Sequence, residues 1–354
     1  MNIIIMAGGT GGHVYPALAV AEILQAQGHQ VRWLGTPNSF ESRVVPQHGI
    51  PLDTLSAQRL RGQSIVAKLR APFALGRALW QARRILKQHQ PQVVLGMGGF
   101  AAGPGGIAAA WLRIPLVIHE QNAIPGLTNR YLARVATRTL AAFANSFPAK
   151  IQAKVVGNPL RSALAEVPPL AIDDGKALVR ILVLGGSLGA QTLNEIVPQA
   201  IVQIPVEHRP QIYHQAGRGK QTATQAAYQA LNVQAEVVEF ITDMAEAYTQ
   251  ADLVISRSGA LTVTELATVG RPALLVPYPH AVDDHQTQNA TALVEAGAAQ
   301  LMPQKDLTPN KLATQINTYL SDPTQLSHMA ANARRCAIPQ AAEQVATHCL
   351  QVAR

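Results

Sequence analysis

Two stretches of this chain open in the same way, and together they restrict its fold more than anything else in it. Asn2 to Ala7 is an apolar run that meets Gly8-Gly9-Thr10-Gly11-Gly12, and Arg180 to Leu184 is a second that meets Gly185-Gly186-Ser187-Leu188-Gly189-Ala190. A short apolar run closed by glycine has the length and composition of a buried parallel strand. The glycines after it let the backbone turn sharply and approach a ligand or a helix start. A helix follows each loop, in the first case Pro16 to Gln27 with Gly28 as its stop. One such loop is a weak signal. Two at corresponding places in 354 residues predict an α/β chain of two Rossmann-like domains with parallel sheets facing across a cleft. The run Gly157-Asn158-Pro159-Leu160-Arg161 marks the boundary. The expected domains are 1–160 and 161–338, and the helix in 339–354, after Pro339, is a candidate to cross back onto the first domain.

Composition narrows the function. Apolar residues make up 48%, enough for large cores. Residues 1–160 carry 16 Lys+Arg against 4 Asp+Glu, a net +12, whereas residues 161–354 carry 13 against 17, a net −4. A basic first half is expected to meet an anionic surface or substrate. Nucleic acid is disfavoured, since aromatics are only 5% and no recognition motif is present. Cys336 and Cys349 form neither a zinc pattern nor a disulfide framework, which suits a reducing cytoplasm. The start MNIIIMAGG is not a secretory signal, and no apolar run reaches membrane-spanning length.

The first glycine loop is a poor dinucleotide fingerprint. Val14 stands where a third glycine belongs, and the strand Val31 to Leu34 ends on Gly35-Thr36, without the acid that holds an adenosine ribose. A nicotinamide dehydrogenase is therefore disfavoured. His13 lies at the loop-to-helix junction, where the helix dipole opposes a protonated ring; it reads either as an imidazole that can accept a proton or as a histidine that only hydrogen-bonds nearby backbone. Pro72 is expected to break the segment around it, with a helix from Phe73. On that helix Leu75, Leu79, Ala82 and Leu86 share one stripe. Phe73, Arg77, Trp80, Arg84 and Lys87 share the opposite one, the composition either of a face that lies on an anionic bilayer or of one whose aromatics pack under a neighbouring loop while its cations are solvated. The strand Pro115 to Ile118 ends in His119-Glu120-Gln121-Asn122, which is not a zinc motif because position 123 is Ala. These residues read either as site groups or as loop hydrogen-bonding groups.

In the second half, Asp252 to Asn289 reads strand–loop–helix–strand–loop–helix, with polar residues gathered at strand ends, where ligands of open parallel sheets bind. A helix opening on Ser258-Gly259-Ala260 offers unpaired N–H groups and a positive dipole end to a diphosphate. Glu265, one turn inside, can accept from both hydroxyls of a ribose. Alternatively, Thr262-Val263-Thr264-Glu265 is a capping box. Gln286 and Asn289, three apart, can hydrogen-bond a sugar. Ser187 is either a phosphate donor at a helix start or a plain N-cap.

The segments GGTGGHVYPALA, GMGGFAAGPGG, HEQN, GLTNRYLA, VVGNPLR, SRSGALTVTE and PYPHAVDDHQTQNA, spread along nearly the whole chain, resemble one family. It is that of the bacterial N-acetylglucosaminyltransferases of the glycosyltransferase-B class, which act on undecaprenyl-diphosphate-linked N-acetylmuramoyl-pentapeptide. The resemblance implies UDP-N-acetylglucosamine as donor substrate, met by Thr10, Gly11, Gly12, Asn122, Arg161, Ser187, Ile241, Ala260, Leu261, Thr262, Val263, Thr264, Glu265, Gln286 and Asn289. It implies that the first two glycine loops face the lipid-linked diphosphate acceptor. His13 becomes the candidate base, with His119 the lesser one. It also implies peripheral attachment at the cytoplasmic face of the plasma membrane, and partners among cell-wall synthesis proteins. No Asp-x-Asp motif or His/Cys cluster is present, so no obligatory metal or cofactor is expected. The alternatives are another UDP-sugar enzyme of this fold, such as a diacylglycerol glycosyltransferase or a UDP-N-acetylglucosamine 2-epimerase, or a non-catalytic sugar-nucleotide-binding protein.

Overall fold

A computed structural model describes residues 1–56, 65–171, 179–186 and 188–353, the side chains of residues 65–71 and 282 excepted. They form two compact units, Met1–Arg161 with Ile338–Arg354, and Ser162–Ala337.

The first unit is a sheet of seven strands: β1 (Asn2–Met6), β2 (Gln30–Gly35), β3 (Leu52–Thr54), β4 (Val93–Gly96), β5 (Leu116–Glu120), β6 (Arg138–Ala141) and β7 (Lys154–Val155). Their order is β3-β2-β1-β4-β5-β6-β7, and every pairing is parallel. Its helices are α1 (Gly11–Ala26), α2 (Phe40–Val44), α3 (Ile65–His89), α4 (Ala102–Trp111) and α5 (Leu127–Leu132). Alternation along β1 divides the core. Ile3 and Ile5 join a cluster with Val14 and Leu18 of α1, and Ile4 and Met6 join one with Ala82, Leu86 and Ala102. The last helix of the chain (Ala341–Val352) buries Val345, Ala346 and Cys349 in the α1 cluster, so the C-terminal segment completes the first unit's core.

Strand order reverses between β1 and β4, the topological switch point of such a sheet. The loops after these strands meet there. Gly99, at φ +89, lies so close that a Cβ would stand 2.4 Å from the Gly8 carbonyl oxygen. Two other glycines of this stretch serve packing. A Cβ on Gly105 would reach 2.2 Å from Met6 Sδ, and one on Gly106 2.7 Å from Leu132.

Two expectations are corrected here. α1 starts at Gly11, five residues before Pro16, because Thr10 caps it with extended backbone and its carbonyl accepts from both His13 and Val14. α3 runs unbroken from Ile65 through Pro72. Pro72 supplies no N–H to that helix, and residues 72–77 are exposed. The stripes hold on the second half of α3. Ala82 and Leu86 are buried and Leu79 half-buried, but Leu75 is exposed.

The second unit has β8 (Arg180–Leu184), β9 (Gln211–Gln215), β10 (Glu236–Val238), β11 (Leu253–Ser256), β12 (Ala273–Leu275) and β13 (Ala299–Leu301). Their order is β10-β9-β8-β11-β12-β13, again all parallel. Its helices are α6 (Gln191–Ile201), α7 (Gln221–Ala230), α8 (Met244–Gln250), α9 (Ala260–Val269), α10 (His285–Glu295), α11 (Pro309–Ser321) and α12 (Thr324–Arg335); the C-terminal helix is α13. The glycine loop after β8 repeats the close approach. A Cβ on Gly189, at φ +71, would stand 2.1 Å from the Ala216 carbonyl oxygen.

A buried polar chain supports this loop. Asn194 Nδ2 donates to the Ala216 carbonyl at 3.0 Å, and its Oδ1 lies 3.0 Å from His214 Nε2. The other ring nitrogen lies 2.9 Å from the Tyr228 hydroxyl. Burial lowers the His214 pKa from 6.5 to about 3. Between those values the unfolded chain binds a proton that the folded one refuses, so stability falls as pH falls. At pH 5 His214 alone is expected to cost the second unit about 2 kcal/mol relative to pH 7 or above. Thermal unfolding followed from pH 7 to 5 checks this, and a pH slope unchanged in His214→Gln would refute it.

Candidate active site

At the first unit's switch point, Thr10 and Gly12 are exposed and His13 is half-buried in the first turn of α1. No side chain caps this turn, so its leading N–H groups remain directed outward. Beneath the loop sits Glu41, fully buried. Its Oε2 accepts from Gly9 N–H at 3.0 Å, and its Oε1 accepts from the Thr36 N–H at 3.0 Å and the Thr36 hydroxyl at 2.7 Å. Burial pushes the carboxyl up, but the bonds from Gly9, Thr36 and Ser39 outweigh it and hold the pKa below the usual range. A Cβ on Gly8 would lie 2.5 Å from this carboxylate. Glu41 thus shapes the loop from below, and sequence reasoning missed it. It sits on α2, and only the fold carries that helix under β1.

The end of β5 reaches the same place. Gln121 Oε1 lies 2.8 Å from His13 Nδ1. His119, the lesser base candidate, is turned into the interior. It is fully buried, with Nε2 on the Gly157 carbonyl at 2.8 Å and Nδ1 on Gln121 Nε2 at 3.1 Å. Burial lowers its pKa to about 4. Glu120 is a loop organiser. Its Oε1 accepts from the Asn122 backbone N–H and side-chain amide at 3.0 and 3.2 Å, and its Oε2 from Gly126 N–H and Asn129 Nδ2 at 3.1 and 2.9 Å. Arg161 is exposed, its guanidinium 5.7 Å from the ring of Tyr15, a residue of α1 two positions after His13. The structure therefore brings Thr10, Gly11, Gly12, His13 and Arg161 to one end of the first sheet, with Asn122 on the β5 loop beside Gln121.

In the second unit, α9 starts at Ala260 behind Gly259, which is extended and carries no side-chain cap. The capping-box alternative is thereby overturned. Thr262 lies inside the helix, and Thr264 Oγ1 donates back to the Ala260 carbonyl at 2.9 Å. The first-turn N–H groups of Ala260, Leu261 and Thr262 stay open to an anion. Glu265 accepts from the Tyr248 hydroxyl at 2.9 Å. Both α10 candidates hold loop backbone. Asn289, fully buried, donates to the Ser258 carbonyl at 3.3 Å, and Gln286 Oε1 accepts from Tyr278 N–H at 2.8 Å. Arg257 ties the following loop, donating to the carbonyls of Val276 and Pro277, each at 3.1 Å. Val263 and Ile241 are nearly fully buried, so only their backbone can meet a ligand. Ser187 lies outside the described residues. The α9 start follows β11, which pairs with β8 at the switch point of the second sheet.

Residues 3–141 match the glycosyltransferase family 28 N-terminal domain, and residues 180–345 match the family 28 C-terminal domain. The chain belongs to glycosyltransferase family 28. The chain is 52% identical over 353 residues to an Azotobacter vinelandii protein named UDP-N-acetylglucosamine–N-acetylmuramyl-(pentapeptide) pyrophosphoryl-undecaprenol N-acetylglucosamine transferase, with 100% of this chain and 99% of that one covered. A Shewanella baltica protein of the same name is 50% identical over 99% of this chain and 98% of its own length. Among solved structures, Acinetobacter baumannii MurG superposes with a TM-score of 0.85 at 44% identity, covering 99% of each chain.

This family 28 chain also carries an aromatic and basic face on its first unit that one helix's periodicity only half reveals. Phe73 and Trp80 of α3 are exposed, as are Arg77, Arg84 and Lys87. Trp111 of α4 is exposed beside α3, with Arg83 5.1 Å from its ring, and Tyr131 of α5 is exposed with Arg134 5.5 Å from its ring. No helix among the described residues is long and apolar enough to cross a membrane.

Glu41→Gln tests the support of the first loop. The amide would keep an acceptor for Thr36 but turn a donor toward Gly9 N–H. The first unit should lose about 1–3 kcal/mol, and the Gly9 amide should exchange faster with solvent. Gly9 exchange at the wild-type rate would remove Glu41 from this role.

Proposed function

We infer that this chain catalyses inverting transfer of N-acetylglucosamine from UDP-N-acetylglucosamine to the C4 hydroxyl of undecaprenyl-diphosphate-linked N-acetylmuramoyl-pentapeptide. The reading is carried by full-length identity of 52% to a transferase whose name states that donor, that acceptor and that sugar. It is supported by two open helix starts at two switch points, one bearing a histidine and the other a carboxylate. The same-fold alternatives and a non-catalytic binder are not favoured, since neither accounts for that identity.

The chemistry follows from the groups present. The acceptor O4 forms a bond to the anomeric carbon as its proton passes to His13, while the bond to UDP oxygen breaks and the electron pair leaves with UDP. The α9 start, with Ala260, Leu261, Thr262, Val263 and Thr264, stabilises the diphosphate charge as it grows, and Glu265 holds the ribose. Ile241 backbone meets the uracil. Asn122 and Gln286 face the sugar and Asn289 shapes its pocket from within through the Ser258 carbonyl, while Arg161, Ser187 and the loop Thr10, Gly11 and Gly12 complete the contacts. The roles need no obligatory metal, because helix starts supply the positive potential.

Labelled transfer to a short-chain lipid-diphosphate acceptor checks these roles. His13→Ala should lose roughly 10²–10⁴ in kcat, the usual worth of a general base, with little change in donor KM. Glu265→Ala should act chiefly through donor KM. A chelator should leave the rate unchanged. Absence of transfer to this acceptor would sink the reading.

The aromatic and basic face supports peripheral attachment to the cytoplasmic side of the plasma membrane, where the lipid-linked acceptor and partner cell-wall synthesis proteins reside. Its aromatics can enter the interface while its cations meet anionic headgroups. Phe73→Ser, Trp80→Ser and Trp111→Ser should each weaken binding to anionic vesicles roughly tenfold, since an aromatic side chain is worth about 1.5–3 kcal/mol when buried. Binding unchanged in all three would exclude this face.

A further inference from the structure

We propose that Gln121 and His119 are positioning residues that set the tautomer of His13, keeping the proton on Nδ1 and the lone pair on Nε2. The proposal rests on His13 as the base and adds how its basic nitrogen is chosen. It is carried by one buried chain of hydrogen bonds whose direction is decided at its far end.

That end is the Gly157 carbonyl. A carbonyl only accepts, so His119 Nε2, 2.8 Å away, must carry a proton. His119 is fully buried and makes no ion pair among the described residues, and burial keeps the ring neutral. A neutral imidazole with a proton on Nε2 has its lone pair on Nδ1. The group facing that lone pair at 3.1 Å must therefore be the NH₂ of Gln121. The same NH₂ donates to the His119 carbonyl at 3.2 Å, which holds the amide in this sense a second time. Gln121 then presents its oxygen to His13 Nδ1 at 2.8 Å, and that nitrogen must carry the proton.

The opposite arrangement fails at every link. With the His13 proton on Nε2, its Nδ1 lone pair would face the Gln121 oxygen. Turning the amide would aim that oxygen at the His119 lone pair, and moving the His119 proton would leave Nε2 facing the Gly157 carbonyl. Each rearrangement leaves two acceptors in contact with no proton between them.

The end of the chain is itself anchored. Gly157 is left-handed, at φ +78, and a Cβ there would stand 2.8 Å from Ile338 Cβ, so the C-terminal segment packs directly on the residue that sets the direction. Asn158 Nδ2 donates to the Gln121 carbonyl at 3.0 Å, and Asn129 Nδ2 to the His119 carbonyl at 3.0 Å. Gly98 leaves the His13 ring its room, since a Cβ there would lie 2.9 Å from Cε1. When His13 takes the substrate proton on Nε2, the bond from Nδ1–H to Gln121 persists and becomes charge-assisted.

Nitrogen NMR of the full chain, with its histidine rings labelled and His13 assigned by His13→Ala, reads the tautomer directly. We expect neutral His13 to carry its proton on Nδ1 and His119 on Nε2. In Gln121→Met and in His119→Gln the His13 proton should shift in part to Nε2. kcat should fall roughly tenfold to a hundredfold, part of what a general base supplies, with both KM values within about twofold. Wild-type His13 protonated on Nε2 would overturn the proposal whatever the variants do, and needs no variant to fold. So would an unchanged tautomer in both variants. Full kcat in His13→Ala, by contrast, would remove His13 as the base, whereas the wild-type tautomer would still judge the chain of bonds.

Discussion

The close approach of one loop backbone to its neighbour at the strand ends of each sheet, between the β1 and β4 loops in the first and the β8 and β9 loops in the second, is the constraint on which the loops rest. In the first unit Gly99 lies against Gly8, and in the second Gly189 lies against Ala216 and Gly217. Each contact is closer than any side chain permits, and each includes a residue at positive φ. The result is a strand end with its loop pressed flat against the neighbouring loop, so that the next helix opens toward solvent with its first N–H groups uncovered. Bulkier residues would lift the loops and tilt those helices away from the sheet ends.

Glycine alone makes such loops possible but does not hold them in place. Buried polar side chains do. Under the first loop the Glu41 carboxylate gathers Gly9 and Thr36, and Glu120 gathers Asn122, Gly126 and Asn129. Under the second, Asn194 and His214 hold Ala216, while Asn289 holds Ser258 and Arg257 holds Val276 and Pro277. These groups stay rigid because leaving one unpaired in a dry interior is costly, and that rigidity keeps the open N–H groups and His13 pre-aimed. Two neutral histidines within these networks make both units more stable above the ordinary histidine pKa than below it.

The residues that face solvent at the sites were more legible in the sequence than those that hold them. The glycine loops, His13 and the α9 start stand in contiguous motifs, so strand–loop–helix periodicity finds them. Glu41 stands in an unremarkable Ser-Phe-Glu-Ser stretch, and Trp111 closes an alanine-rich helix. Nothing in their local sequence reports that one lies under β1 and the other beside α3. Local rules also misjudged two prolines, Pro16 and Pro72, each of which stands inside a helix. The capping box at Thr262 failed for the converse reason: Gly259 already starts that helix, which places Thr262 and Glu265 within it.

By itself the sequence determined two parallel α/β units, the glycine loops that open them, the basic first half, and the motifs of a sugar-nucleotide transferase, because these depend on residues adjacent along the chain. Only the tertiary structure decided which polar residues stand open at the sheet ends and which are spent inside. His119 and Glu120 are neighbours of Asn122 in sequence, yet the first points to Gly157 and the second folds its own loop. It likewise decided that the last helix completes the first core and that Gln121 joins His119 to His13. Those outcomes turn on which distant backbone carbonyl or carboxylate comes within hydrogen-bond reach, a distance that strand order sets and local spacing does not contain.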